Sequence, residues 1–200
     1  MTTGRIGGTR CPILCIFIAI AKANNLKYAW LLVLCFSFFT VRAQDPALSE
    51  YRLKAAFIYN FAKFVEWPPE SFADTNSPVV IGIVGGNKFG NELEQTVQNK
   101  TINGRPLVIK AVNSPAEATN CHILFISDSG KKQFPEIVAN LHNTPVLTIG
   151  EADWFIDSGG IINFVREANK IRFQINDRAA KAVGLKISSK LLSLALPASH

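Results

Sequence analysis

The chain has 200 residues, 48% of them hydrophobic, with 21 Lys and Arg against 15 Asp and Glu and a formal net charge of +6. The basic excess lies at the front: Arg5, Arg10, Lys22, Lys27 and Arg42 precede residue 44 and every acid follows it, which leaves the remainder at +1. That near-neutral remainder excludes the basic footprint of a nucleic-acid binder, and residues 44–200 suffice for one domain with a real core.

Residues 1–43 read as an export leader. Tyr28 to Thr40 is a compact apolar run preceded by Lys22 and Lys27, and Val41-Arg42-Ala43 places short residues for cleavage before Gln44. The run is too short for an ordinary membrane span. A second apolar stretch lies at Cys11 to Ala21, so a start at Leu26 would give a more compact leader. The expectation is a domain at 44–200 exported to the periplasm.

Leu53 to Pro68, LKAAFIYNFAKFVEWP, is expected to be one helix, with Ser49 or Asp45 as its cap and Pro68-Pro69 as its stop. On a wheel of about 100° per residue, an apolar arc begins at Leu53 and holds Phe57, Phe61, Phe64 and Val65. The opposite arc holds Tyr59, Asn60, Lys63, Glu66 and Trp67. That polar stripe is either a solvated face or a contact face. Lys54 breaks the apolar arc. It either snorkels out of the core or meets a ligand or a partner carboxylate.

Beyond the corner, strands are expected at Val79–Val84, Leu107–Val112, His122–Ile126 and Val146–Ile149, as short continuous apolar runs. Helices at Lys88–Gln98, Ala116–Thr119 and Lys131–Leu141 alternate with them. Ile161–Arg166 and Lys170–Ile175 read as a hairpin. Asn176 caps a helix at Asp177–Val183 that Gly184 ends, and Ser188 or Ser189 caps a last one at Lys190–Leu196. The pattern implies an α/β protein: a single three-layer α/β/α sandwich with a mixed, largely parallel sheet and a C-terminal hairpin.

Catalytic signatures are weak. Gly85 and Gly90 have the outer spacing of a Walker loop, but Asn91 and Glu92 occupy the positions of its Lys and Ser/Thr, so a tight structural turn is expected. Ser127-Asp128-Ser129-Gly130 lacks the nucleophile-elbow pattern. His122, His142 and His200 have no ligand spacing. Glu151 and Asp153 read as solvated loop carboxylates. Cys121 alone remains after the leader, which excludes an internal disulfide and suggests a buried strand-edge thiol. No catalytic residue, metal site or cofactor is assigned. The hairpin adds Arg166, Lys170 and Arg172. Arg172 either lies on an ordinary polar sheet face or holds a small anionic ligand beneath the first helix.

Two stretches carry a resemblance. Tyr51 to Pro68 resembles the opening motif of the YfiR-like family. Ile171-Arg-Phe-Gln-Ile-Asn176, with Ala179-Ala180, Gly184-Leu185, Ile187-Ser188-Ser189 and Leu191-Leu192, is similar to its closing motif. The resemblance implies a periplasmic, non-enzymatic regulator that binds the periplasmic part of an inner-membrane diguanylate cyclase and represses it. Cyclic di-GMP and biofilm formation would thereby be controlled. It also implies sequestration by a peptidoglycan-associated outer-membrane lipoprotein, a homodimer and small-molecule binding. The alternative is a periplasmic small-molecule-binding protein without a fixed cyclase partner. With Cys121 alone, the family's redox control does not carry over. The expected ligand- or partner-binding residues are Tyr59, Asn60, Lys63, Glu66, Trp67, Arg172 and Asn176.

Overall fold

The computed structural model describes residues 46–197. The leader at 1–43, its cleavage before Gln44, the start at Leu26, the Asp45 cap and His200 lie outside the described residues. The first helix, α1 (Pro46–Phe64), is followed by a two-residue strand β1 (Val65–Glu66). Strand β2 (Val79–Val84) leads into a short helix α2 (Glu92–Val97), then β3 (Thr101–Ile102) and β4 (Arg105–Ala111). A 3-10 segment at Pro115–Asn120 precedes β5 (Ile123–Ile126), and α3 (Phe134–Asn140) precedes β6 (Leu147–Gly150). The chain closes with β7 (Ile162–Glu167), β8 (Lys170–Ile175), α4 (Asp177–Ala182), β9 (Lys186–Ile187) and α5 (Ser189–Leu192).

Seven strands form one sheet in the order β3-β4-β2-β5-β6-β7-β8. β4, β2, β5, β6 and β7 run parallel, while β3 and β8 pair antiparallel at the two margins. Alternation along β2 sends Ile81 and Ile83 to one face and Val80 and Val84 to the other. The first face carries the larger core, built with Ala55, Ile58, Phe61 and Ala62 of α1, Leu93 and Val97 of α2, Ala180 of α4 and Leu191 of α5. The second is covered by Ala118, by Phe134 and Ile137 of α3, and by Phe155. The expected three-layer class with a largely parallel sheet and terminal hairpin is the one observed.

Local differences have physical causes. α1 begins before Leu53 and stops at Phe64, short of the prolines, because Val65 and Glu66 pair antiparallel with Ile187 and Lys186. Ser49 therefore lies within the helix and is not its cap. The buried α1 residues Lys54, Ala55, Ile58, Phe61 and Ala62 span only about 80° to 200° of the wheel. Leu53, at its origin, is 45% exposed. The expected helices at 88–98, 131–141 and 190–196 are each shortened by turns.

The hairpin turn is two residues, Ala168-Asn169, both with positive φ (46° and 60°), as a primed turn requires. Asn176 caps α4 through an acceptor bond from the Ala179 N–H at 3.0 Å. Among the described residues, β3 covers only Arg105 and Pro106 of β4. At the opposite margin the C-terminal tail begins to pair with β8, where the Leu196 N–H donates to the Phe173 carbonyl at 2.8 Å.

Candidate functional site

The first half of α1 crosses the carboxyl end of the sheet and meets Glu151, the residue after β6. Glu151 is placed there by a tight end to the strand: a side chain on Gly150 would stand 2.3 Å from the Phe155 ring. Its carboxylate side chain is only 6% exposed. It accepts from Lys54 Nζ at 2.7 Å, from Lys88 Nζ at 2.9 Å, and from the Tyr51 hydroxyl at 3.0 and 3.1 Å. Lys54, itself 5% exposed, also pairs with Glu50 at 2.7 Å, and Glu50 in turn pairs with Arg166 of β7. The Lys54 ammonium stands 4.6 Å from the Tyr51 ring centroid, a cation–π contact.

The electrostatics follow from that crowding. Burial alone would push the Glu151 carboxyl up, but the bonds from Lys54 and Lys88 outweigh it and hold the group below the usual carboxylate range. Burial, followed by the adjacent Glu151 charge, pushes the Tyr51 phenol up to about 12, so it stays a neutral donor. The hydrogen bond to Glu151 raises the Lys88 ammonium above its ordinary value. A second clamp ties α1 to α2: Arg52 holds Glu92 through Nε at 2.7 Å and Nη2 at 3.0 Å. With every member partnered, the cluster is an ionic lock between α1 and the strand ends. It holds no nucleophile paired with a base.

This arrangement resolves the two readings of Lys54 in favour of a partner carboxylate. It also corrects the reading of Glu151 as a solvated loop residue. Tyr51, Lys88 and Glu151 escaped selection from the sequence because 63 residues or more separate Glu151 from each donor. The one local signal was a lysine inside an apolar arc.

The glycine turn after β2 is structural, as expected. Buried Ser127 donates to the Gly85 carbonyl at 2.6 Å, with the Val84 carbonyl at 3.1 Å, and Ser129 also bonds to Gly85. Gly85 has φ +82°, and a Cβ there would lie 2.5 Å from the Gly130 nitrogen. The loops after β2 and β5 are thereby latched together.

Three of the expected site residues, Tyr59, Asn60 and Lys63, lie along the second half of α1, and Glu66 follows in β1. Asn60, Lys63 and Glu66 are exposed and Tyr59 is half-buried, with Lys63 and Lys100 ammonium groups 5.7 and 4.6 Å from its ring centroid. Glu66 and Trp67 line a small pocket of about 220 Å³ with Phe72, Asn103 and Arg105. Trp67 has a packing role there, its indole N–H donating to the His122 carbonyl at 3.1 Å. Asn176 is engaged as the α4 cap.

Arg172 does not join the stripe. Phe173 packs on Phe57 and Phe61 of α1, so the strand's alternation turns exposed Arg172 to the opposite sheet face. The expectation of a ligand held by Arg172 beneath the first helix is corrected accordingly.

His122 is fixed by both ring nitrogens. Its Nδ1 accepts from the Val80 N–H at 3.1 Å, which leaves Nε2 to donate to the Ser71 carbonyl at 3.0 Å. The ring stacks on Phe72 at 4.5 Å, and the Arg105 guanidinium lies 3.9 Å from the Phe72 centroid. Cys121 is buried, and burial pushes its thiol up to about 11.

Comparison with known proteins places this geometry. The profile of YfiR/HmsC-like proteins matches residues 51–196, from the Tyr51 of the lock to the tail on β8, and the chain belongs to that family. No curated protein matches. Among solved structures, a conserved domain protein from Vibrio cholerae O1 biovar El Tor is similar at 13% identity and a TM-score of 0.52, covering 74% of this chain and 60% of that one. An ABC domain in complex with L-Trp from Streptococcus pneumonia aligns at 14% identity and a TM-score of 0.43, covering 64% and 57%. The chain thus spans about 60% of the length of the first of these, and the likeness is one of fold. Among the described residues no helix is long and apolar enough to cross a membrane.

Proposed function

We propose that this member of the YfiR/HmsC-like family is a periplasmic, non-enzymatic regulator of cyclic di-GMP signalling. It binds the periplasmic part of an inner-membrane diguanylate cyclase and holds it inactive, so that its release favours biofilm formation. The observation that carries this reading is the family match across residues 51–196. The ionic lock supports it: α1 is a rigid element able to present a fixed surface. The contact face is the stripe of Tyr59, Asn60, Lys63 and Glu66, whose last three members are exposed. A peptidoglycan-associated outer-membrane lipoprotein sequesters the regulator, and a homodimer is its working form.

Deleting the gene tests the reading directly. Cellular cyclic di-GMP should rise, and unchanged levels under every envelope stress tried would count against repression of a cyclase. At residue level, Lys63→Glu should weaken partner capture while the melting temperature stays within a few degrees of the parent. Arg172→Glu, on the other face, should leave capture intact if the stripe alone is the contact. Loss of capture through Arg172 with Lys63→Glu silent would move the contact face to the hairpin.

A further inference from the structure

In open α/β sheets, ligands enter the crevice outside the carboxyl ends of strands whose connections leave on opposite faces. β2 has such a neighbour on each side. Its own connection runs to α2 on the face that carries α1, whereas β4 and β5 both send theirs to the other face. The β2–β5 crevice is filled by the Ser127 and Ser129 latch on Gly85. The β2–β4 crevice is open. It has a volume of about 440 Å³, within the usual range for a small-molecule site.

Both faces of the sheet line it: Glu94 comes from α2 and Gln133 from the turn before α3. Its floor is apolar, made by Ile83, Ile109 and Val112, and Gly86 leaves open space where a side chain would stand. The polar groups on its rim favour one sign of charge. Among the described residues, Glu94 is the only charged one lining the crevice, and no Lys, Arg or His accompanies it. Lys110 shares the sheet face of Val112, but it is not itself one of the residues lining the crevice. Among the described residues, the side chains of Glu94, Asn113 and Gln133 have no hydrogen bond or ion pair. The position where related architectures take a phosphate therefore presents a carboxylate and three amides, of which that of Asn87 is bonded within its own turn.

We infer that the β2–β4 crevice binds a small organic ammonium compound, its apolar body on Ile83, Ile109 and Val112 and its cation at Glu94. This site stands apart from the α1 stripe and does not depend on the cyclase reading.

Titration of the 15N-labelled protein with isobutylammonium chloride tests it. Saturable shifts are expected at the Gly85, Gly86, Ala111 and Asn113 amides, with isobutanol binding more weakly. Glu94→Gln should weaken the amine by about three- to five-fold, the size of a solvent-accessible ion pair. Ala111→Leu, at an exposed position on the crevice wall, should fill the space and abolish the shifts. The inference is overturned if the parent shows no saturable shift at these amides or if isobutanol matches the amine. It is equally overturned if both variants bind like the parent, or if inorganic phosphate shifts the same amides more strongly than the amine.

Discussion

Replacing Lys54 with methionine would remove the central cation of the ionic lock while keeping the length of the side chain. Lys54 and Glu151 are 5% and 6% exposed and 2.7 Å apart, so neither charge is hydrated. Breaking a buried pair by removing one partner costs about 3–5 kcal/mol, because the remaining charge is stranded. Here Glu151 keeps Lys88 and the Tyr51 hydroxyl, and Glu50 keeps Arg166, which places the expected cost near the lower bound, about 3 kcal/mol. For a domain of this size that corresponds to a fall in melting temperature of roughly 6–12 °C. Urea denaturation followed by circular dichroism would measure it, alongside Glu151→Gln and the double variant. The double variant should cost less than the two singles together, with a coupling above about 1 kcal/mol. The Lys54→Met penalty should also persist at high salt, since a buried pair is poorly screened. A penalty below about 1 kcal/mol, or strict additivity, would show that the lock does not hold α1 to the sheet.

Phe61→Ala should cost about 3–5 kcal/mol, since Phe61 is fully buried against Phe164 and Phe173; half-buried Phe57→Ala should cost measurably less in the same urea assay. His122 should make stability fall with acid. Burial lowers its pKa, the bond to Ser71 offsetting this only in part, so the unfolded chain takes up the proton first. The contribution is complete above the ordinary histidine value and is lost as pH drops through it toward the folded value. His122→Gln should flatten that slope in melts between mildly acidic and neutral pH, and an unaltered slope would refute the assignment. Gly85→Ala should destabilise strongly, because the new Cβ would meet the Gly130 nitrogen and Ser127 Oγ at 2.5 Å; a melting temperature equal to the parent's would show that the latch gives way freely.

The parts of the fold that could be read from the sequence are those where one local pattern had one physical cause. Val79–Val84, Ile123–Ile126 and Leu147–Gly150 are buried on both faces, so they read as continuous apolar runs. The Asn176 cap and the Gly184 stop are local chemistry and were legible for the same reason. β1, β3 and β9 are two residues each, too short for any period, and β1 and β9 exist only through one another, about 120 residues apart in the chain. The arc of α1 was legible in kind but not in width: packing selects about a third of the helix circumference, which excludes Leu53 and includes Lys54. The Glu151 lock lay beyond sequence reasoning because a lone carboxylate after a strand carries no mark of the lysines that will surround it. That Tyr59, Asn60 and Lys63 share a helix face was legible from helical spacing, whereas Glu66 lies beyond the helix in β1.

The two margins of the sheet are defended by different means. On the β8 side the defence is physical cover: the Leu196 N–H occupies the Phe173 carbonyl that a foreign strand would otherwise capture, and the Gln174 side-chain amide holds the Pro197 carbonyl beside it. On the β4 side, where β3 covers only Arg105 and Pro106, the defence is mainly chemical. Pro106 has no N–H to offer, and exposed Lys110 places a charge on the rim, two features that discourage edge-to-edge polymerisation. Val108, 37% exposed between them, is the weak point of that barrier, and a neutral residue at Lys110 would leave a short, sticky ribbon along an otherwise well-guarded border.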